Sequence, residues 1–468
     1  MFDVSKEDIT DGSIPRALAF LATPILAQQL VLVGQQVVDI FWVGRLGEDP
    51  VAAIGLLAPV LGFLHVGTYV AYTGGQVVVS QRVGADDADG ANRAAFQSLL
   101  VVLAVTLVAS LSVVGLASVF LDDVAPNAAV AEYAFAYLVV IALGQVFPAM
   151  SDVFEGGFYG WGDSKTPLYI NVFAILLNVV LDPFLIFGWW EFPRLGVQGA
   201  ALATVLAYAA GFLVALGIAL SGRHDLTLDR EAVAFDPAVA REVLSVGLPK
   251  AGQEVARQFA RLLLVAVVTV AGGAAGLAAY IVGARIATLA FVPAAAVGAA
   301  ATSLVGQNLG AEKPDRATRV TWTAVAGGGL LVGVLVGGVQ FAFPETIALA
   351  FVPDLSAAGL ELTVAYLQIL ALGYWALGAI KTVEAGFNGA SRTTVSMVAT
   401  MLQYWGVRVP VAAGLTFLAG YGALGVFWAV TLSNVVAAVG LCAYFCYSAR
   451  GGMLERAAER AGGSTPAD

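Results

Sequence analysis

Four oxygen-bearing side chains in the first half of the chain stand in segments otherwise almost wholly apolar. Asp39 follows Gly34-Gln35-Gln36-Val37-Val38, Asn178 and Asp182 lie four apart ahead of Pro183, and Thr204 follows the Ala- and Leu-rich run that starts at Gly199. An ionisable residue in such a setting is costly and by default marks function. Carboxylate, amide and hydroxyl oxygens suit a hard monovalent cation or a proton rather than a soft metal. A single such residue serves equally as a structural hydrogen-bonder; four at a shared depth mark a site. Counting ~1.5 Å per helical residue, Asp39 lies ~9 Å from the end of its span near Arg45, and Asp182 ~10 Å from Trp189. By the same rise Thr204 is ~12 Å beyond Gly196 and Tyr137 ~10 Å beyond Val130. Tyr137 and Gln35 are placed near this cation site. Pro24, fifteen residues before Asp39, removes a backbone hydrogen bond and is a candidate hinge, or else a static kink.

The elements that must position these residues are membrane helices. Of 468 residues 59% are hydrophobic and 12% charged, against roughly 25% charged in a soluble domain, and the mean hydropathy is +0.85. A crossing needs ~20 apolar residues. Apolar runs between Gly, Pro and charged punctuation predict twelve, near 14–44, 51–80, 91–120, 130–155, 166–189, 196–221, 240–270, 277–306, 316–343, 357–386, 391–419 and 423–448. This is an all-α polytopic protein with no room for a soluble domain. With the N-terminus inside, fifteen Lys and Arg fall in inner segments and only Arg45 and Arg194 in outer loops. The positive-inside rule then places both termini in the cytoplasm of a multi-pass cell-membrane protein. The acidic first residues lack the basic start of a signal peptide, so the first apolar run is expected to be retained.

A net charge of −10 argues against nucleic acid, which needs a basic surface. Five Lys against eighteen Arg, with an excess of Asp, suggest a salt-adapted host. Cys442 and Cys446 are read as buried neighbours on one late helix, neither a disulfide nor a metal site. Only two histidines, His65 and His224, and no HExxH or GxSxG motif leave little for a membrane-embedded enzyme. A retinal-type photoreceptor would need a seven-helix frame. No cofactor is expected beyond a coupling ion.

The halves repeat. Gln81-Arg-Val-Gly84-Ala85 recurs as Gln307-Asn-Leu-Gly310-Ala311, Glu155-Gly-Gly157-Phe158 as Glu384-Ala-Gly386-Phe387, Gly196 as Gly422 and Pro24 as Pro249, at offsets of 226, 229, 226 and 225. Six helices per copy is an even number, so the copies run parallel. The domains predicted are an N-lobe over 1–221, a cytoplasmic linker over 222–240 and a C-lobe over 241–468 with a short cytoplasmic tail. The acidic cluster is not repeated: Asp39 corresponds to Leu264 and Asp182 to Val409. The C-lobe instead carries Lys250, Glu254, Arg257 and Arg261 at helical spacing, then Arg285, Lys381, Glu384 and Arg408. These form internal ion pairs, such as Glu254 with Arg257 or Arg261, or a wall that binds anionic substrate.

Ala22-Thr-Pro24-Ile with Asp39 on the first helix, Asn178-x-x-x-Asp182-Pro on the fifth and Gly-Ala-Ala-Leu-Ala-Thr204 opening the sixth resemble the multidrug and toxic compound extrusion family over residues 12 to 448. The resemblance implies two pseudo-symmetric six-helix bundles in a V around a central cleft, and a monomer in membrane lipid. It implies export of cationic or amphipathic compounds in exchange for sodium ions or protons. The family's archaeal type has an N-lobe cation site onto which Asp39, Asn178, Asp182 and Thr204 map, with Tyr137 and Pro24 nearby. Other members use acidic residues of helices 7 and 10, for which only Glu254 and Glu384 are available here. A flippase of lipid-linked oligosaccharide would share the fold and use Arg257 and Arg261 on a phosphate headgroup.

Overall fold

The computed structural model describes residues 6–353 and 355–462, and every regular element among them is helical. A short α1 (Lys6–Thr10) precedes α2 (Ile14–Gly44), α3 (Glu48–Gly84), α4 (Ala88–Val124), α5 (Ala128–Gly144), α6 (Val146–Trp161), α7 (Lys165–Phe187) and α8 (Val197–Leu220). The chain continues through α9 (Pro237–Gly310), α10 (Pro314–Leu330), α11 (Gly337–Ala342), α12 (Pro344–Phe351), α13 (Ala357–Leu372), α14 (Tyr374–Gly389), α15 (Thr393–Met401), α16 (Val409–Ala413), α17 (Ala423–Arg450) and α18 (Met453–Ala461). Side-chain caps start several spans: Asp87 accepts from the Gly90 amide at 2.9 Å and Asn127 from the Val130 amide at 2.8 Å. Each cap satisfies one of the donors a helix start leaves free.

The described helices hold up to ten spans long and apolar enough to cross a membrane if each bent pair is one span. The 74-residue α9 turns at Gly273, whose φ of 56° interrupts the helix, and so contains two crossings. The run from Thr393 to Leu418, α15 and α16 with two wide π-turns, completes twelve. The fourth and tenth spans are each two helices, α5 with α6 bent by 44° and α13 with α14 by 46°.

The repeat seen in the sequence is reproduced bond by bond. Ala85 N donates to Gln81 O at 3.0 Å, and Ala311 N to Gln307 O at 2.9 Å; Asp87 N donates to Arg82 O at 2.9 Å, and Lys313 N to Asn308 O at 2.8 Å. Asp86 and Glu312 share a left-handed φ of 60° and 55°. Gly144 and Gly373, at the two bends, face Val205 and Thr431, which are themselves 226 residues apart. A side chain at Gly199 would strike the Leu185 carbonyl, and one at Gly425 the Leu415–Thr416 backbone. Small residues that let backbones approach take over the role that apolar burial has in water.

The chain divides into two compact units, residues 27–251 and residues 1–26 with 252–468. Each boundary falls two residues past a helix-interior proline of the repeat, Pro24 in α2 and Pro249 in α9. The N-terminal part of α2 thus groups with the C-terminal unit and the start of α9 with the N-terminal one, a division set at the prolines and not in the loop at 222–240. That loop is ordered on the N-terminal unit: Leu226 and Leu228 are buried in its core, Asn92 Nδ2 donates to Thr227 Oγ1 at 2.9 Å, and Gln97 Nε2 donates to Ala234 O at 2.8 Å.

Candidate cation site

In the N-terminal unit α2, α7 and α8 bring the four predicted residues together. Asn178 is fully buried on α7 with Asp182 one turn on and 2% exposed. Close packing at Gly199 holds α8 against α7, which puts the Asn178 amide nitrogen 3.5 Å from Thr204 Oγ1 and 3.5 Å from Asp182 Oδ1. Thr204 Oγ1 donates to Ala200 O at 3.1 Å. From α2, Gln35 Nε2 donates to Asn178 Oδ1 at 2.8 Å. With its amide turned over, Asn178 instead donates to Asp39 Oδ1 at 3.1 Å and accepts from the Thr204 amide at 3.2 Å.

The Asp39 and Asp182 carboxyl groups meet at hydrogen-bonding range. Two carboxylates so close cannot both stay charged unless a proton or cation stands between them. Asp182 Oδ2 is buried and has no partner, at a cost of roughly 1–3 kcal/mol for an orphaned polar atom. The site opens on a cavity of about 230 Å³ lined by Gln35, Asp39, Tyr137, Gln145, Asp152 and Thr204 among others, with no Lys or Arg in its wall. Tyr137, from α5, therefore lines the same chamber as Asp39. Beyond the site toward Arg45, Trp42 packs edge-on against Phe187 and Trp189 at 5.9 and 6.1 Å, and the Arg45 guanidinium lies 4.3 Å over Phe41.

The same chamber holds residues the sequence reading passed over. Asp152 lines the cavity. Glu155, one turn along α6, accepts from Gln28 Nε2 at 2.6 Å and Asn171 Nδ2 at 3.0 Å, while Tyr159 Oη donates to Gln28 Oε1 at 2.9 Å. A helix ending near residue 155 would have put both acids at the membrane surface. In fact α6 continues to Trp161, because the Gly156-Gly157 pair is a contact and not a stop: a side chain at Gly156 would meet the Tyr72 carbonyl.

In the C-terminal unit the predicted charges are mostly spent on one another. Glu254 pairs with Arg257 at 3.1 Å and Lys381 with Glu384 at 3.1 Å. Glu384 also accepts from Gln253 Nε2 at 2.9 Å, the repeat of Gln28 with Glu155. Arg261 and Arg285 are exposed. Arg408 is buried, donates to Ser433 Oγ at 2.8 Å and Asn434 Oδ1 at 2.5 Å, and lies 4.0 Å over the Tyr404 ring. The 226-residue offset of Gly196 and Gly422 sets Asp182 against Arg408, one residue before Val409. Pro24 is half-buried within α2.

The MatE family model matches the chain twice, over residues 24–184 and 249–413, one match in each repeat. The chain belongs to the multidrug and toxic compound extrusion family. Its relatives include the probable multidrug resistance protein NorM of Pseudomonas aeruginosa, 31% identical over 92% of this chain and 88% of that one. NorM of Thermotoga maritima is 27% identical over 92% and 91%. Among solved structures, an outward-facing multidrug resistance transporter of the family superposes with a TM-score of 0.89 at 22% identity, covering 95% of this chain and 98% of that one. That likeness shows the twelve-helix fold. Members of this family are membrane transporters and not enzymes.

Proposed function

We propose that the protein is a secondary antiporter of the cell membrane, with both termini cytoplasmic, that exports cationic or amphipathic small molecules in exchange for sodium ions or protons. The coupling cation binds between Asp39, Asn178, Asp182 and Thr204. The observation that carries this is the buried Asp182 Oδ2, without a hydrogen-bond partner, beside the Asp39 carboxyl, which itself faces a chamber walled without lysine or arginine. Two carboxylates with an amide and a hydroxyl match one positive charge. A filled site draws α2 toward α7 and α8, and Pro24, where a backbone hydrogen bond is missing, is where α2 yields. Exchange follows if substrate favours the empty state and cation the filled one, because a ligand shifts an equilibrium only by its differential affinity. The C-terminal acids Glu254 and Glu384 serve ion pairs instead, so the N-terminal cluster is the cation site this reading assigns among the described residues.

The test is export into proteoliposomes carrying either a sodium gradient or a pH gradient. Transport driven by one of them and abolished by its collapse supports the reading. Transport indifferent to both would refute it.

A further inference from the structure

A second feature lies at the far end of the C-terminal unit, remote in sequence from the aspartates. The membrane helix α17 ends at Arg450, and after Gly451 and Gly452, the latter at φ 77°, the chain turns into α18. This nine-residue helix buries Met453, Leu454, Ala457 and Ala458 and exposes Glu455, Arg456, Glu459 and Arg460. Near the helix ends opens a cavity of about 830 Å³ whose lining includes Arg392, Arg450 and Arg456 together with Tyr444, Cys446 and Tyr447. Arg456 Nη1 donates to Gly451 O at 2.8 Å, which holds it at the turn, and Arg460 Nε donates to Arg456 O at 3.0 Å along α18. Burial, with the charges of Arg392 and Arg456 beside it, pushes the Arg460 guanidinium down from its ordinary value. Among the described residues Arg392, Arg450 and Arg456 form no ion pair.

The apolar half of the lining decides what the arginines are for. Tyr444 and Tyr447 are 49% and 76% exposed and stack at 6.4 Å on the last two turns of a membrane helix, the depth at which amphipathic rings meet headgroups. Val436 and Val439, further along α17, are more than half exposed. A soluble anion would use the guanidinium groups of this hollow only, whereas a lipid uses both kinds of lining: phosphate on the arginines, glycerol and acyl chains along the tyrosines. We propose that this hollow is a binding site for the headgroup of an anionic phospholipid at the membrane edge of the C-terminal unit. Basic pockets at a membrane edge bind such headgroups through guanidinium forks matched to phosphate oxygens. Bound there, the lipid fixes α18 against the ends of α10 and α17.

Native mass spectrometry of the full-length protein in detergent, titrated with phosphatidylglycerol or phosphatidylcholine of identical acyl chains, tests the site. Phosphatidylglycerol is expected to be retained about tenfold better than phosphatidylcholine, and Arg392→Gln with Arg456→Gln to lower that retention about tenfold. Arg223→Gln, which removes a distant exposed arginine, should leave retention unchanged. Excess inorganic phosphate should fail to displace the lipid. If the double variant unfolds in detergent, Arg450→Gln replaces it with the same expectation. Equal retention of the two lipids, retention unaffected by loss of the arginines, or displacement by inorganic phosphate would each overturn the proposal, the last by assigning the hollow to a soluble anion.

Discussion

The two repeats of this transporter keep one backbone and carry opposite charge. Both close their loops with the same hydrogen bonds, bend their fourth and tenth spans at equivalent glycines, and hold a Gln–Glu pair, Gln28 with Glu155 and Gln253 with Glu384. Around that shared frame the polar positions diverge. Asp39 stands where the second copy has Leu264, Asp182 where it has Arg408, and Asp152 where it has Lys381. The first copy thus gathers carboxylates with no lysine or arginine in the chamber wall, and the second pairs Glu254 with Arg257 and Glu384 with Lys381. After duplication the backbone was constrained by packing, since a side chain at Gly199 or Gly425 has nowhere to go. The polar positions were not, so the first copy holds clustered carboxylates where the second holds ion pairs and a buried arginine.

The largest effect that would break this contrast is at Asp39. Asp39→Asn keeps size and hydrogen bonding but removes the titratable charge, and gradient-driven export in vesicles is expected to fall to the leak level. A variant made in normal amounts that still exports against a gradient removes Asp39 from the coupling site.

In the other unit the prediction concerns stability. Lys381→Met leaves Glu384, 4% exposed at its side chain, buried without its partner, which should cost about 3 kcal/mol. Thermal unfolding in detergent measures it. Glu384→Gln, which can still accept from Gln253, should cost less. Equal losses would mean that Lys381 and Glu384 are not a working pair.

A smaller effect separates packing from function. Gly199→Ala and Gly425→Ala should each destabilise by roughly 1–3 kcal/mol through overpacking, but only Gly199→Ala should also weaken cation binding, because it alone pushes Thr204 from Asn178. Weakened cation binding in Gly425→Ala would show the two units to be less independent than their chemistry implies.

The smallest effect is at the surface. Lys313 Nζ donates to Asp11 at 2.7 Å, and that hydrogen bond, with one from Thr10, holds the Asp11 carboxyl below its ordinary value. A depressed carboxylate contributes stability that is present above its unfolded value and lost as pH falls through its folded one. The hydrogen-exchange protection factor of α1, which also docks through Arg316 on the Ile9 and Gly12 carbonyls, should fall only modestly, about twofold, between about pH 5 and about pH 2. No change in α1 over that range would remove Asp11 from its docking.

Much of this was legible in the sequence because membrane helices announce themselves by length and hydropathy, and a polar residue inside one is rare enough to stand out. Asp39, Asn178, Asp182 and Thr204 could be levelled by counting residues from the span ends. Asp152 and Glu155 could not, because a Gly-Gly pair beside them reads as a helix stop until α3 is seen packed against it. The division at Pro24 and Pro249 was hidden for a similar reason: a proline within a helix reports a missing bond, not which neighbours each half will choose. The amphipathic α18 is too short and too charged to register beside twelve apolar runs.

The central claim is that the N-terminal unit alone holds the coupling ion. It is tested most directly by equilibrium binding of that ion to purified protein, by calorimetric titration of sodium above the titration of both carboxylates and by proton uptake without sodium. Wild type and three variants, Asp182→Asn, Asn178→Ala and Glu384→Gln, are compared. The account predicts one cation bound per chain, lost in Asp182→Asn, weakened in Asn178→Ala and unchanged in Glu384→Gln. Binding that survives Asp182→Asn and disappears in Glu384→Gln would contradict it and move the ion to the C-terminal unit.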